Sequence, residues 1–203
     1  MKFALHVIMF CGVLSQFSAG KEPFCLSLMT DMHMNPLYSA DIGEEYGCYP
    51  SLDPEPTPTT NELAPYGRFT CDPGAALVES AFLTLAQQIP QFVNSQQQHV
   101  VIIPGDIMGH NVVIKDFSSK LAKSPLSKRN DDKTELFWNT LNMILDIVKS
   151  SIGDHVVLFA FGNNDMLYHN QVPLAKHKEE FYSRFYKAFF QSIPGNFALV
   201  RNK

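Results

Sequence analysis

The sequence predicts an α/β fold in which parallel strands are covered on both faces by helices. Three runs are continuously apolar, which is typical of strands buried in a parallel sheet. They cover residues 24–30, 99–104 and 155–161. Segments with apolar residues every three or four positions alternate with these runs, and this alternation indicates parallel α/β architecture. The 203 residues suffice for one domain with a sizeable core.

The first predicted strand, residues 24–30, is followed by a long irregular segment from Asp31 to Pro73, rich in proline, glycine and threonine. An irregular segment of this length is usually functional or tied down by a cross-link. The first helix is predicted over residues 74–92 from the spacing of its apolar residues, namely Leu77, Val78, Ala81, Phe82, Leu85 and Ile89. We expect Asp72 to cap this helix, with Pro73 at its first position.

The second predicted strand, residues 99–104, is rich in β-branched residues, and the polar segment 111–133 after it predicts a solvated loop. A second helix is predicted over residues 134–150, where one face carries Leu136, Phe137, Leu141, Ile144, Leu145 and Val148. The third strand, residues 155–161, precedes a third helix over residues 175–191 that is charged early and aromatic throughout.

Residues 1–20 are predicted to be a secretory signal peptide. Lys2 precedes an apolar run from Phe3 to Leu14, and the small residues 18–20 follow. This order is typical of signal peptides, and the run is shorter than the ~20 residues that span a bilayer. A buried N-terminal strand and an uncleaved anchor are the alternatives. The prediction places residues 21–203 outside the cell or in a lysosomal or vacuolar lumen, with no transmembrane segment after cleavage.

Composition and charge limit the classes of partner. Hydrophobic residues make up 45% of the chain and charged residues 18%, which excludes a mainly disordered chain. The net charge is −4, and basic residues are scattered rather than clustered. Because binding to a nucleic-acid backbone depends on clustered Lys and Arg, we expect no nucleic-acid binding platform.

The cysteines agree with an oxidising compartment. Cys11 lies in the predicted signal peptide, and Cys48 and Cys71 flank the proline-rich part of the long irregular segment. These two are plausible disulfide partners. Cys25 has two interpretations, either a small buried hydrophobic residue or a cysteine whose partner is missing from this chain.

Polar side chains follow each predicted strand. Asp31 and His33 come after the first strand, Asp106 and His110 after the second, and residues 162–165 (Gly-Asn-Asn-Asp) after the third. Because parallel strands end at one edge of the sheet, we expect these side chains to lie close together. Carboxylate, amide and imidazole groups suit a borderline or hard divalent metal ion. The sequence therefore predicts a metal site at this edge.

The order DxH, GD and GNxD, each after a strand, resembles the calcineurin-like metallophosphoesterase superfamily. Three segments resemble its acid sphingomyelinase-like phosphodiesterases: TDMHMNPLYS (30–39), YGRFTCDPGAALVESA (66–81) and GDIMGH (105–110). The resemblance extends from Phe24 to about Arg184. It implies a layered fold with mostly parallel strands and an enzyme that hydrolyses phosphoric esters. Sphingomyelin-like phosphodiesters are the first substrate class that it implies, with polyphosphate or nucleotide phosphates second.

The resemblance also implies residue roles. Asp31 and His33 would bind one metal ion, Asp106 would bridge two, and Asn163 would bind the second. The ions in this branch are usually zinc. His110 matches a histidine that lines the phosphate site of the family. Asn164 stands where the family usually has a histidine that helps to protonate the leaving group, and an amide cannot act as that acid.

Two departures from the family pattern leave alternatives open. GNNDMLYHN (162–170) looks more like the endopolyphosphatase branch, in which His169 would be a candidate for the vacant acid role. The chain also carries no GHxH motif of the kind that supplies the remaining ligands in the family. We interpret His99, His155 and His177 as surface or structural residues. Residues 21–203 would then be the N-terminal part of a phosphoesterase domain, incomplete at its C-terminus and nearly inactive alone, or a non-catalytic remnant.

Overall fold

The computed structural model describes residues 6–12, 24–49, 59–92, 98–110, 126–153, 155–166, 173 and 175–192. Within these ranges the chain forms four β-strands and three α-helices. The strands are β1 (His6–Gly12), β2 (Phe24–Thr30), β3 (Gln98–Ile103) and β4 (Val156–Phe159). The helices are α1 (Ala75–Phe92), α2 (Leu126–Ile152) and α3 (Ala175–Ser192). A short 3-10 helix covers Glu44–Tyr46.

The strands form one mixed sheet in the order β1-β2-β3-β4. Strands β2, β3 and β4 are mutually parallel, whereas β1 pairs with β2 in the antiparallel direction. The mixed α/β class and the parallel arrangement of the three predicted strands are therefore confirmed. Strand β1 lies within the predicted signal peptide, which agrees with the alternative interpretation of this region as an N-terminal strand. Cleavage of residues 1–20 stays a prediction.

Burial alternates along the parallel strands, because successive side chains point to opposite faces of a sheet. On one face Met29, Val101 and Val157 are fully buried in a core that they share with all three helices. On the other face residues such as Leu28 and Ile102 keep partial exposure. Among the described residues full burial thus falls on one face of the sheet, whereas the sequence predicted cover on both.

Two predicted element boundaries differ from the structure. Helix α1 begins at Ala75, and the carboxylate of Asp72 accepts hydrogen bonds from His110 instead of capping the helix. Helix α2 begins at Leu126, within the segment 111–133 that was predicted to be a loop. Its first turns are polar, so apolar periodicity, which registers only the buried part of a helix, did not detect them. Residues 111–125 lie outside the described residues.

The loop between β2 and α1 is closed by a disulfide bond between Cys48 and Cys71, which confirms the predicted pairing. Arg68 adds a second tie, since its guanidinium donates hydrogen bonds to the carbonyl oxygens of Ile42 (3.1 Å) and Ala40 (3.3 Å). Cys25 is buried and is itself disulfide-bonded within this chain, so both of its interpretations, as an unpaired hydrophobic residue and as a cysteine whose partner is missing, were wrong.

Helix α3 packs on the sheet and on α2 through aromatic rings. Phe159 of β4 contacts Phe185 and Phe189, with ring centroids 5.3 and 4.6 Å apart. Trp138 of α2 contacts Phe181 and also lies under the guanidinium of Arg184 at 4.4 Å. In the described part of the chain, no helix is both long and apolar enough to cross a membrane.

Candidate metal centre

The loops after β2 and β3 are joined by backbone hydrogen bonds that extend the parallel pairing beyond the strands. His33 N–H donates to the carbonyl oxygen of Asp106 at 2.9 Å, and Met34 N–H donates to that of Ile107 at 2.8 Å. Gly109 N–H in turn donates to Met34 at 2.9 Å. These bonds hold the two loops side by side, so the residues that follow the two strands share one rim.

Three candidate ligands meet at this rim. Asp31, His33 and Asp106 each offer a ligand atom, and these atoms all lie within 4.8 Å of one another. His33 Nε2 lies 3.7 Å from a carboxylate oxygen of Asp31. His33 is buried, whereas 52% of the Asp31 side chain is exposed, so the group opens to solvent on one side. Two carboxylates and one imidazole could hold a divalent metal ion.

The backbone at all three residues is left-handed. Asp31 has a φ of 56°, His33 of 45° and Asp106 of 52°. An L-residue loses about 1–2 kcal/mol in this conformation relative to a right-handed one. The concentration of three such residues in one group indicates a local geometry selected for side-chain placement, since strained residues persist where the surroundings hold them and cluster at functional sites.

Buried contacts orient the imidazole of His33. Its Nδ1 lies 3.3 Å from the carbonyl oxygen of Met108, which can only accept a hydrogen bond, so Nδ1 carries the proton. The Nε2 atom then has a lone pair directed to the side of Asp31. Burial, followed by the proximity of His110, holds the pKa of His33 below its usual range. A neutral imidazole with its second nitrogen tied to a carbonyl is the form that binds metal ions.

His110 lies beside His33 and is held by Asp72. The two imidazole rings stack with centroids 4.0 Å apart and an interplanar angle of 21°. One carboxylate oxygen of Asp72 lies 3.0 Å from Nδ1 of His110, and the other accepts the backbone N–H of His110. His110 is thus next to the candidate ligands, where the sequence predicted it. Asp72, which the sequence analysis had assigned to a helix cap, is the residue that orients it.

The loop after β4 contributes Asn164, which contacts Asp106. Its backbone N–H and its Nδ2 both donate to one carboxylate oxygen of Asp106, at 2.9 and 3.2 Å. The Oδ1 of Asn164 is buried and, among the described residues, has no hydrogen-bond partner. Carboxylate oxygens, an imidazole and a buried amide oxygen that lacks a partner are groups that a divalent cation binds, so the residues present fit a metal ion. Asn163 is exposed, and its assignment as a ligand stays a prediction.

Asp165 joins the loop after β4 to the loop after β3. It is the last residue of the GNxD motif, and its role was not predicted from the sequence. Its carboxylate accepts four backbone N–H groups: those of Asp106 (2.7 Å), Ile107 (2.8 Å), Met108 (3.1 Å) and Gly162 (2.8 Å). Burial raises its pKa to about 6, against the opposite effect of these donors. The sequence signal was the Asp that closes the motif, but nothing in a sequence shows which N–H groups a carboxylate accepts.

Two glycines allow the loops after β3 and β4 to touch. A Cβ atom on Gly162 would lie 2.3 Å from the backbone nitrogen of Asp106. One on Gly105, which has a φ of 112°, would lie 2.0 Å from the backbone nitrogen of Gly162. Both distances are shorter than any real contact, so only glycine permits this approach. The approach in turn places Asn164 and Asp165 against the Asp106 loop.

The other histidines singled out in the sequence are placed as follows. His99 is buried in the sheet, where its Nε2 lies 2.8 Å from the hydroxyl oxygen of Ser27 and its ring contacts His155 edge-on. His177 is exposed on α3. The interpretation of His99 and His155 as structural residues agrees with these contacts. His169, the candidate for the vacant acid role, lies outside the described residues.

No protein-family model matches the chain, and no curated protein matches it. The family resemblance of its motifs therefore stays a prediction.

Proposed function

We propose that the chain belongs to a metal-dependent hydrolase of phosphoric esters, of the calcineurin-like metallophosphoesterase type, with sphingomyelin-like phosphodiesters as its first substrate class. The observation that carries this proposal is the group of Asp31, His33 and Asp106 at the carboxyl ends of parallel strands, with His110 stacked beside it. Ester hydrolysis needs an electropositive centre for the phosphoryl oxygens and a polar group near the leaving oxygen. The rim offers residues for both.

Each residue then has a definite task. Asp31 and His33 would hold one divalent ion, Asp106 would hold it as well and bridge to a second, and Asn163 would belong to that second ion. Zinc is the first candidate for both. Bound ions of this kind polarise phosphoryl oxygens and lower the pKa of water.

His110 would contact the phosphate, and the carboxylate of Asp72, which lies 3.0 Å from Nδ1 of His110, orients its imidazole. Asn164 cannot donate a proton as an acid, but its Nδ2 donates a hydrogen bond to Asp106 and so orients this carboxylate.

A polyphosphate substrate is the second candidate, because GNND in place of the usual GNHD or GNHE looks like the endopolyphosphatase branch. The expected compartment is the same for both candidates: the cell exterior, or a lysosomal or vacuolar lumen. The disulfide bond between Cys48 and Cys71 supports an oxidising compartment.

The test uses the full chain, loaded with zinc and then with manganese, and assayed on a chromogenic phosphodiester, on sphingomyelin and on polyphosphate. Asp106→Asn should abolish any metal-dependent turnover, and Asp146→Asn, which changes an exposed acid on α2, should leave it intact. Turnover that survives Asp106→Asn within about tenfold would overturn the assignment, since the loss of this ligand should cost several kcal/mol in the transition state. Zinc binding without turnover is expected of an incomplete phosphoesterase domain and of a non-catalytic remnant alike, whereas failure to bind zinc would overturn the proposal.

A further inference from the structure

Three large apolar side chains are unusually exposed on one short stretch of the loop that precedes α1. Leu63 is 69% exposed, Tyr66 61% and Phe69 74%. The other large apolar side chains that are exposed in the described ranges are Leu83, Met143 and Tyr186, at 39–46%, and they are scattered over the three helices. We call residues 63–69 the apolar segment. Exposed apolar groups concentrated in this way usually mark an interaction site.

The backbone of the apolar segment is fixed by hydrogen bonds and by a disulfide bond to the rest of the loop. Its side chains cannot turn inward without breaking these contacts. Ala64 exchanges hydrogen bonds with the rest of the loop, since its N–H donates to Ala40 at 2.9 Å and its carbonyl accepts from the hydroxyl of Tyr38. Arg68 is bound to three backbone carbonyl oxygens, and the disulfide bond at Cys71 closes the segment. A fixed backbone with outward apolar side chains is a preformed surface.

We propose that the apolar segment docks on the surface of a membrane of zwitterionic lipids. Arg68 is the only charged residue within it, so the segment lacks the cluster of basic residues that attracts anionic headgroups. The net charge of −4 also disfavours an anionic surface. The amphipathic ring of Tyr66 suits the boundary between headgroups and acyl chains, and the faces of Tyr66 and Phe69 attract choline groups.

The apolar segment lies close in sequence to a residue that contacts the candidate metal centre. Phe69 lies three residues before Asp72, whose carboxylate holds His110 beside the candidate ligands. Three residues span at most about 11 Å, so a membrane that Phe69 touches would lie close to Asp72. This inference rests on the proposed function and narrows its substrate class to lipids presented in a bilayer.

The experiment is flotation of the full chain with phosphatidylcholine and sphingomyelin vesicles in excess EDTA, so that binding is measured without turnover. The combined variant Leu63→Ser, Tyr66→Ser and Phe69→Ser should bind at least about tenfold more weakly, because it removes most of the apolar area available for insertion. The matched control, Leu83→Ser, Met143→Ser and Tyr186→Ser, removes three exposed apolar side chains elsewhere and should bind as the unchanged chain does.

Five outcomes bear on the proposal. Selective loss of binding in the apolar-segment variant supports it. Failure of the unchanged chain to float, or equal loss in both variants, overturns it. Self-association that the same variant abolishes, seen by light scattering without vesicles, would assign the segment to a second copy of the chain instead. Vesicle binding by a chain that takes up no zinc would leave the docking intact and refute the proposed function, so the two can fail separately.

Discussion

Asp31, His33 and Asp106 combine a candidate ligand side chain with a left-handed backbone. The exposed carboxylate of Asp31 accepts only the neighbouring Thr30 hydroxyl among the described hydrogen bonds. A residue whose conformation is costly and whose side chain supports little packing is expected where placement of a ligand matters more than stability.

Replacing Asp31 by Asn separates these two contributions. Asn tolerates the left-handed conformation at least as well as Asp, so the free energy of unfolding should stay within about 0.5 kcal/mol. The affinity for zinc should fall at least about tenfold, because a neutral amide replaces a charged ligand. Calorimetric zinc titration and urea unfolding measure the two quantities, with Asp146→Asn as the control. Unchanged zinc affinity would remove Asp31 from the metal site.

Asp165, in contrast to Asp31, is expected to contribute to stability, because its carboxylate is entirely buried and accepts hydrogen bonds from backbone N–H groups. In Asp165→Asn an NH2 group would face backbone N–H donors, which leaves two of the four without an acceptor. We expect the free energy of unfolding to fall by about 2–4 kcal/mol. Urea unfolding in EDTA measures this loss independently of any metal. A midpoint equal to that of the unchanged chain would contradict the role of Asp165.

His99 should make the fold sensitive to acid. Burial, reinforced by His155, lowers its pKa to about 4 from an ordinary value of 6.5. The folded state therefore excludes the proton that the unfolded chain takes up below pH 6.5, so stability is full above this pH and is lost as the pH falls toward 4. The loss at pH 5 should be roughly 2 kcal/mol. Urea unfolding at pH 7 and pH 5 should show a smaller difference in His99→Gln than in the unchanged chain or in His177→Gln.

The sequence was sufficient for those site residues that lie directly at strand ends. Asp31, His33 and Asp106 could be predicted together because parallel strands bring their carboxyl ends to one edge. Asp72 and Asp165 could not, because each acts through hydrogen bonds to groups 38 and 57–59 positions away in the chain. Such partners depend on how loops that are distant in sequence pack together. The close contacts of Gly105 and Gly162, which allow the loops after β3 and β4 to touch, are visible only in the three-dimensional structure.

At the scale of elements, the apolar runs and the helical spacings predicted the three parallel strands and the three helices. Their limits were least predictable where the chemistry changes from apolar to polar, as at the start of α2. The partial exposure of one face of the sheet was also not predicted. A continuously apolar strand predicts burial on both faces, but Leu28, Ile102 and Leu158 show that apolar side chains can remain half-exposed.

The loop before α1 owes part of its order to its cross-link. Cys48 and Cys71 are separated by 23 positions, and a disulfide bond over such a span should stabilise the folded chain by about 3 kcal/mol. We expect the double variant Cys48→Ser and Cys71→Ser to lose this amount in urea unfolding. The variant is preferable to a reducing agent, because Cys25 is also disulfide-bonded. Peptide mapping that finds Cys48 and Cys71 as free thiols in secreted material would contradict the pairing.

For the whole molecule, an important question is whether β1 stays at the edge of the sheet and covers β2. Strand β1 now pairs with its outer side, and the predicted signal-peptide cleavage would remove β1. We expect the chain without residues 1–20 to associate at rising concentration, because β2 becomes an open edge with unpaired backbone groups. Light scattering coupled to size exclusion measures this, with the full chain as control. A strictly monomeric truncated chain would show that the edge is covered by other means.

The strand order β1-β2-β3-β4 has a consequence for how the chain is built on the ribosome. Each strand pairs with the one that precedes it in synthesis, so the sheet can grow outward as the chain emerges. The candidate metal centre does not follow this order, because the N–H groups of Asp106, Ile107 and Met108 wait for the carboxylate of Asp165. A nascent chain that has passed β3 but not residue 165 therefore lacks the acceptor that these N–H groups have in the folded chain.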